Sequence, residues 1–141
     1  MSTVLWANHL LTNGEVASDE SDKWALYKYA AKLDKLASAA KVEPFSSLLD
    51  HTDIRFNMGD DELPDGTRST NELMAREGVW KSANDALAIL NGLLALISSE
   101  KPRFGVIKND RDLVVAELSQ SIQYAKKASA VSAKFNFSVV M

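Results

Sequence analysis

Cysteine is absent from this chain of 141 residues, and histidine occurs only twice. Without cysteine there can be no disulfide, no thiolate zinc site and no thiol nucleophile. Imidazole can come only from His9 and His51. Any metal centre would therefore have to rely on oxygen ligands with at most two imidazoles.

Long hydrophobic runs and phosphate-binding motifs are also missing. No apolar stretch approaches the about 18–20 residues that a membrane span requires, and the start at Met1–Thr3 lacks the basic region of a secretory signal. The six glycines form neither G-x-G-x-x-G nor G-x-x-x-x-G-K, and there is no G-x-S-x-G elbow. We therefore predict a cytoplasmic protein without a membrane partner and without a cofactor.

The composition is that of an ordinary globular chain, with 46% hydrophobic and 25% charged residues. The length favours one domain over residues 1–141. The net charge of −3 conceals a division along the chain. Residues 43–77 carry nine acids and three bases, whereas residues 101–141 carry seven bases and three acids. Because those bases are spread along a connector and a helix face, the pattern does not indicate nucleic-acid binding.

Hydrophobic periodicity predicts a helix-dominated α+β fold with four or five helices. Residues 3–10 are typical of a strand, and apolar side chains alternate from Phe135 to Met141 in a second one. We expect these two strands to pair in one small sheet. Helical spacing predicts a first helix over residues 20–40, with Trp24 among its core residues.

Capping signals place the other helices. Ser69 and Glu72 have the spacing of a capping box, and Ser82 stands three residues before Asp85 at the start of a strongly apolar helix. Gly92 in the middle of that helix predicts the close approach of another element. Pro44 favours a short helix after it. A last long helix should follow Asp110.

Residues 50–68 have no sustained periodicity, and we interpret them as an irregular acidic loop. Asp50, His51 and Asp53 are the candidate catalytic residues in it, because flanking carboxylates can orient an imidazole for acid–base chemistry. His9 is a further candidate if it meets them in space. No set of metal ligands has a spacing that identifies a site. As a contact surface we expect the loop's acids and a nearby tryptophan: Asp53, Asp60, Asp61, Glu62, Asp65 and Trp80.

Two hypotheses for the function stay open. The first is a small non-catalytic protein-binding module of an accessory or immunity type, which would bind a protein partner or a second copy of itself. It rests on the absence of a strong catalytic motif and on the division of charge. The alternative is a small metal-dependent enzyme or metal-binding protein that uses Asp50, His51 and Asp53. The sequence favours the first and identifies neither a partner nor a substrate.

Overall fold

The computed structural model describes residues 3–58 and 62–141. The fold belongs to the α+β class, and helices dominate it. In chain order the elements are β1 (Val4–Leu10), β2 (Val16–Asp19), α1 (Trp24–Lys28), α2 (Ala30–Ala39), a 3₁₀ turn (Phe45–Leu48), β3 (Leu49–Asp50), α3 (Thr52–Met58), α4 (Thr70–Glu77), β4 (Lys81–Ser82), α5 (Ala83–Glu100), α6 (Arg111–Ala130) and β5 (Lys134–Val140).

The sheet is organised around the two terminal strands, β1 and β5. They run antiparallel over their whole lengths, from Val4 opposite Val140 to Leu10 opposite Lys134. β2 adds to the free edge of β1, while the short β3 and β4 occupy two different places along the outer edge of β5. β3 is parallel to β5, and the other pairs are antiparallel. The predicted pairing of the two terminal strands is confirmed.

The two faces of the sheet differ in polarity because side chains alternate along a strand. On one face Leu5, Ala7, Phe135 and Phe137 are fully buried in the main core with apolar residues of α1, α2, α5 and α6. On the other face Asn8 donates to Asn136 Oδ1 at 2.8 Å and to Ser138 Oγ at 2.9 Å. Asn136 in turn donates to the carbonyl of Val79. The chain between β3 and β4 therefore covers the second face through a polar layer.

Both predicted serine caps form, while the Glu72 side chain of the predicted capping box bonds one residue before the cap. Ser69 Oγ accepts from Glu72 N at 3.2 Å, and the Glu72 carboxylate reaches back to Arg68 N at 3.0 Å. Ser82 Oγ accepts from Asp85 N at 3.1 Å and begins α5. A Cβ atom at Gly92 would lie 2.9 Å from a methyl carbon of Val42. The prediction of a close approach at this glycine is therefore confirmed.

The single helix predicted over residues 20–40 is wrong in two respects. It begins only at Trp24, since residues up to Asp19 belong to β2, and it is interrupted at Tyr29, which separates α1 from α2. Tyr29 packs edge-on against Phe104 and donates from its hydroxyl to Asp110. These contacts join segments that are distant in sequence, so local periodicity does not contain them.

The interval 50–68 is not irregular throughout, which corrects the loop interpretation. It begins in β3 and continues into α3, and among its described residues only His51 and residues 62–68 lack helix and strand. The Asp50 carboxylate accepts from the hydroxyl of Thr52 at 2.7 Å and from its backbone N at 3.3 Å, at the start of α3. An acidic residue that appeared available for chemistry thus helps to begin a helix. In the described ranges, no helix is long and apolar enough to cross a membrane.

Candidate protein-interaction surface

His9 is a packed residue of the sheet and not an open ligand. Its side chain is buried, its ring stacks on Tyr124 with 3.8 Å between ring centroids, and its Nε2 donates to the Tyr124 carbonyl at 2.7 Å. Burial lowers the pKa of His9 below the ordinary value of 6.5. Burial against α6 therefore favours the neutral form of the imidazole.

The three candidates at residues 50–53 do not converge with His9. Asp50 is buried near Gly78, on the face of the sheet opposite to the one where His9 meets α6. His51 is exposed. The Asp53 carboxylate accepts from Thr70 Oγ1 at 2.6 Å and from Met141 N at 3.1 Å, so it ties α3 to α4 and to the chain end. Each carboxylate of this group thus has a structural partner.

Two residues of the predicted contact surface, Asp60 and Asp61, lie outside the described residues. Glu62 and Asp65 are exposed, whereas Trp80 is half-buried and donates from its indole Nε1 to the Met74 carbonyl at 2.8 Å. In the part of the chain that the structure describes, no three His, Asp or Glu side chains are placed to hold one metal ion.

A different region exposes apolar side chains to solvent. Val106 is 94% exposed and Ile107 is 99% exposed, at the tip of the loop between α5 and α6. Trp24 at 39% and Leu113 at 37% lie beside them. The expected place of Trp24 in the core is therefore wrong. We call these four residues the apolar surface, and they include most of the large apolar side chains that are exposed within the described ranges.

The loop over residues 101–110 is fixed from within by its own polar groups. Asp110 N donates to the Phe104 carbonyl at 2.7 Å and closes the loop. Asn109 Oδ1 accepts from Phe104 N and from Arg111 N, and the guanidinium of Arg103 donates to the carbonyls of Gly105 and Val106. Hydrogen bonds thus hold in place the backbone that carries Val106 and Ile107. Their exposure is not the result of a loose connection.

Phe104 and Gly105 set the direction in which the tip projects. Phe104 is fully buried and packs against the Tyr29 ring at a centroid distance of 5.4 Å. Gly105 has φ +102, a left-handed conformation that favours glycine, and a Cβ atom there would overlap the Lys108 carbonyl. The chain therefore turns outward immediately after its inner anchor.

A cavity of about 550 Å³ lies beside the tip and includes the four apolar residues in its lining. At its base Asp110 is buried and accepts from the Tyr29 hydroxyl at 2.6 Å, which raises the pKa of Tyr29. Lys28 Nζ lies 3.9 Å from Asp110 Oδ2 and 5.0 Å from the centre of the Trp24 ring. The concave wall therefore combines aromatic surface with a paired ammonium group.

Glu117 positions the helix that carries Trp24. Its buried carboxylate accepts from Ala25 N at 3.0 Å and from Leu26 N at 3.2 Å, and so satisfies the first turn of α1 from another helix. Burial raises the pKa of Glu117 despite these two hydrogen bonds. Lys23, immediately before α1, is fully buried, and its ammonium bonds to Asp19 and Ser21.

Sequence reasoning missed the apolar surface. The adjacent β-branched residues Val106 and Ile107 are equally typical of a short buried strand and of an extended connector, so the sequence does not mark them as exposed. In the structure this segment forms no strand.

The chain matches no known family model, no curated protein and no solved structure.

Proposed function

We propose that the chain is a non-catalytic protein-binding module that engages a protein partner through the apolar surface. The observation that carries the proposal is the near-complete exposure of Val106 and Ile107 on a loop that hydrogen bonds hold in place. Burying a side chain of this size stabilises a complex by about 1.5–3 kcal/mol. Exposed apolar patches beside polar residues are typical of protein-binding surfaces.

The preorganised loop adds to this proposal. A tip that already has its bound conformation loses little entropy when a partner covers it. The cavity beside the tip offers a concave seat for a partner side chain, a feature common at the centres of interfaces. We place the protein in the cytoplasm, which its lack of cysteine fits. The metal-dependent alternative has no matching support, because the described Asp50, His51 and Asp53 form no common centre with His9.

The test compares two double variants of the whole protein. In the first, Val106→Ser and Ile107→Ser remove the apolar tip. In the matched control, Val79→Ser and Val131→Ser change two other exposed valines that do not line the cavity. Val131 follows the last residue of α6, about 30 Å along the helix from Arg111.

Each protein is immobilised and exposed to an extract of its source cells, and the captured proteins are identified by mass spectrometry. A candidate partner is then purified and titrated calorimetrically. We expect wild type and control to bind it equally, and the tip variant to lose roughly 30-fold or more in affinity. A purified partner that binds the tip variant as tightly as wild type would overturn the proposal, as would a failure of every captured protein to discriminate between the variants.

A further inference from the structure

The rim of the apolar surface is strongly basic. Residues 101–113 hold four bases, Lys101, Arg103, Lys108 and Arg111, against Asp110 and Asp112, and Lys28 of α1 and Lys32 of α2 also contact this segment. Most of their polar contacts are with carbonyl groups: Lys32 donates to the Arg103 carbonyl, and Arg111 donates to that of Lys101. Because a carbonyl has no formal charge, these contacts leave the positive charge of the rim in place.

Within residues 3–58 and 62–141, Lys28 is the rim base whose ammonium lies within 4.0 Å of a carboxylate. Its side chain is nevertheless 54% exposed. Lys28 lines the cavity with its ammonium over the Trp24 ring, and its exposure lets a second carboxylate approach it from solvent. Lys108 lines the same cavity and is exposed.

A second copy of the chain is a poor occupant of this surface. A two-fold dimer formed by the apolar surface would place the basic rim of one copy against the same rim of the other, and this like-charge contact is unfavourable. A contact between the basic rim and the acidic residues 43–77 of another copy would join different surfaces, which gives an open chain unless the rotation closes it into a ring.

A flat anionic surface also fits the cavity poorly. The apolar residues form both a projecting tip and the wall of a concavity of about 550 Å³. A bilayer or a phosphate backbone could meet the tip and the lysines, but neither has a side chain to place between Trp24 and the loop. The concave part favours a partner with one large apolar side chain.

From these features we infer that the apolar surface binds an acidic segment of a different protein, which inserts one large apolar side chain into the cavity while its carboxylates meet Lys28 and Lys108. This inference rests on the proposed function and adds the chemistry of the partner. The contact with Asp110 keeps Lys28 in the cavity lining, and the rest of the rim attracts the acidic segment over a longer range.

The experiment selects ligands from a library of random dodecapeptides displayed on phage, with the immobilised full-length protein as the target. We expect the selected peptides to combine Asp and Glu with a single Trp, Phe, Leu or Ile. Their affinities are then measured by fluorescence anisotropy at low and high NaCl concentration. Binding should weaken as salt increases, because salt screens the exposed charges.

Charge-reversal variants give the matched comparison. Lys28→Glu with Lys108→Glu should reduce peptide affinity by roughly tenfold or more. Lys126→Glu with Lys127→Glu makes the same change in net charge on exposed lysines near the other end of α6 and should leave the affinity within about threefold. The Val106→Ser and Ile107→Ser double variant should bind no selected peptide measurably.

The outcomes separate this inference from the proposed function. Peptides that require Val106 and Ile107 but are neither acidic nor sensitive to Lys28→Glu would overturn the inference and leave the proposed function standing. If no selected peptide depends on Val106 and Ile107, both fail. Tip-dependent dimerisation in light scattering, or tip-dependent binding to vesicles of phosphatidylcholine and phosphatidylserine or to duplex DNA, would overturn the acidic-segment inference in favour of that occupant.

Discussion

Residues 43–77 and residues 101–110 are both rich in polar side chains, yet they present different surfaces to solvent. In the first region Asp50, Asp53 and Glu72 bond to nearby backbone or hydroxyl groups and help to start or join helices. In the second region Asn109 and Arg103 likewise bond to the backbone, but this leaves Val106 and Ile107 outermost. The charged side chains of the first region thus stabilise the fold, whereas the exposed apolar pair of the second region forms the candidate surface.

The largest difference in stability should be that between two variants of the 101–110 loop, one at its buried anchor Phe104 and one at its exposed tip. Phe104→Ala should lower the free energy of unfolding by about 3–5 kcal/mol, because it empties a fully buried aromatic position. Ile107→Ala should change it by less than about 0.5 kcal/mol, since that side chain is exposed. Urea denaturation measures both. A large effect of Ile107→Ala would mean that the tip is a structural element and not a binding element.

Two glycines with left-handed backbone offer a second comparison between the regions. Gly105→Ala should destabilise the fold by about 1–3 kcal/mol and weaken partner binding, because its Cβ would meet the Lys108 carbonyl and move the tip. Gly66→Ala has open space around the new Cβ and should cost only about 1–2 kcal/mol of backbone strain with no change in binding. Calorimetric unfolding and peptide anisotropy report the two effects. Equal loss of binding in both variants would contradict the assigned role of Gly105.

Within residues 43–77, an acid that ties helices together should differ from a solvated one. Asp53→Ala should cost about 1.5–3 kcal/mol, because Thr70 Oγ1 and Met141 N lose a charged acceptor. Asp65→Ala should cost less than about 0.5 kcal/mol, since Asp65 is exposed. We expect unchanged peptide binding in both variants. Loss of peptide binding in Asp65→Ala would show that the acidic residues, and not the apolar surface, form the contact surface.

Glu117 bonds to the first turn of α1, the helix that carries Trp24, and its titration should change the stability by a smaller amount with a defined sign. Burial raises the pKa of Glu117 above its ordinary value of 4.5. Its stabilising contribution is therefore complete below the pKa of the unfolded chain and is lost as the pH rises through the folded pKa. Glu117→Gln keeps an acceptor for Ala25 N and Leu26 N without the charge.

We therefore expect Glu117→Gln to gain stability relative to wild type as the pH rises from acidic to neutral, in urea denaturation at a series of pH values. Glu77→Gln, at an exposed position on α4, should follow the wild-type pH dependence. A stability difference between Glu117→Gln and wild type that does not vary with pH would show that Glu117 has an ordinary pKa in the folded protein.

The smallest expected effect is that of divalent metals on the acidic residues. Addition of Ca²⁺, Mg²⁺, Mn²⁺ or Zn²⁺ should leave the melting temperature unchanged, because the carboxylates of Asp50 and Asp53 already accept hydrogen bonds. A metal that bound the folded protein, present at a free concentration of a hundred times its dissociation constant, would stabilise the fold by about 2.7 kcal/mol. Stabilisation that His51→Ala abolishes would reinstate the metal-dependent alternative.

Much of the architecture could be predicted from local sequence. The terminal strands, the cap at Ser82 and the capping box at Ser69 follow from alternation and from side chains that reach their own backbone within a few residues. The break at Tyr29 could not be predicted, since no local pattern marks it, and the contacts of Tyr29 with Phe104 and Asp110 lie on a distant segment. The candidate surface depends on the same long-range contacts.

Residue types and their spacing therefore determined the terminal strands and the helices that begin after Ser69 and Ser82, and they excluded thiol chemistry and phosphate-loop motifs. Only the tertiary structure decided which side chains are covered. Helical periodicity marks one face of α1 as apolar, but whether Trp24 is buried depends on what packs over it. The hydrogen bonds that close the 101–110 loop direct Val106 and Ile107 outward beside Trp24. Burial is a property of the assembled fold, so no local pattern could place this surface.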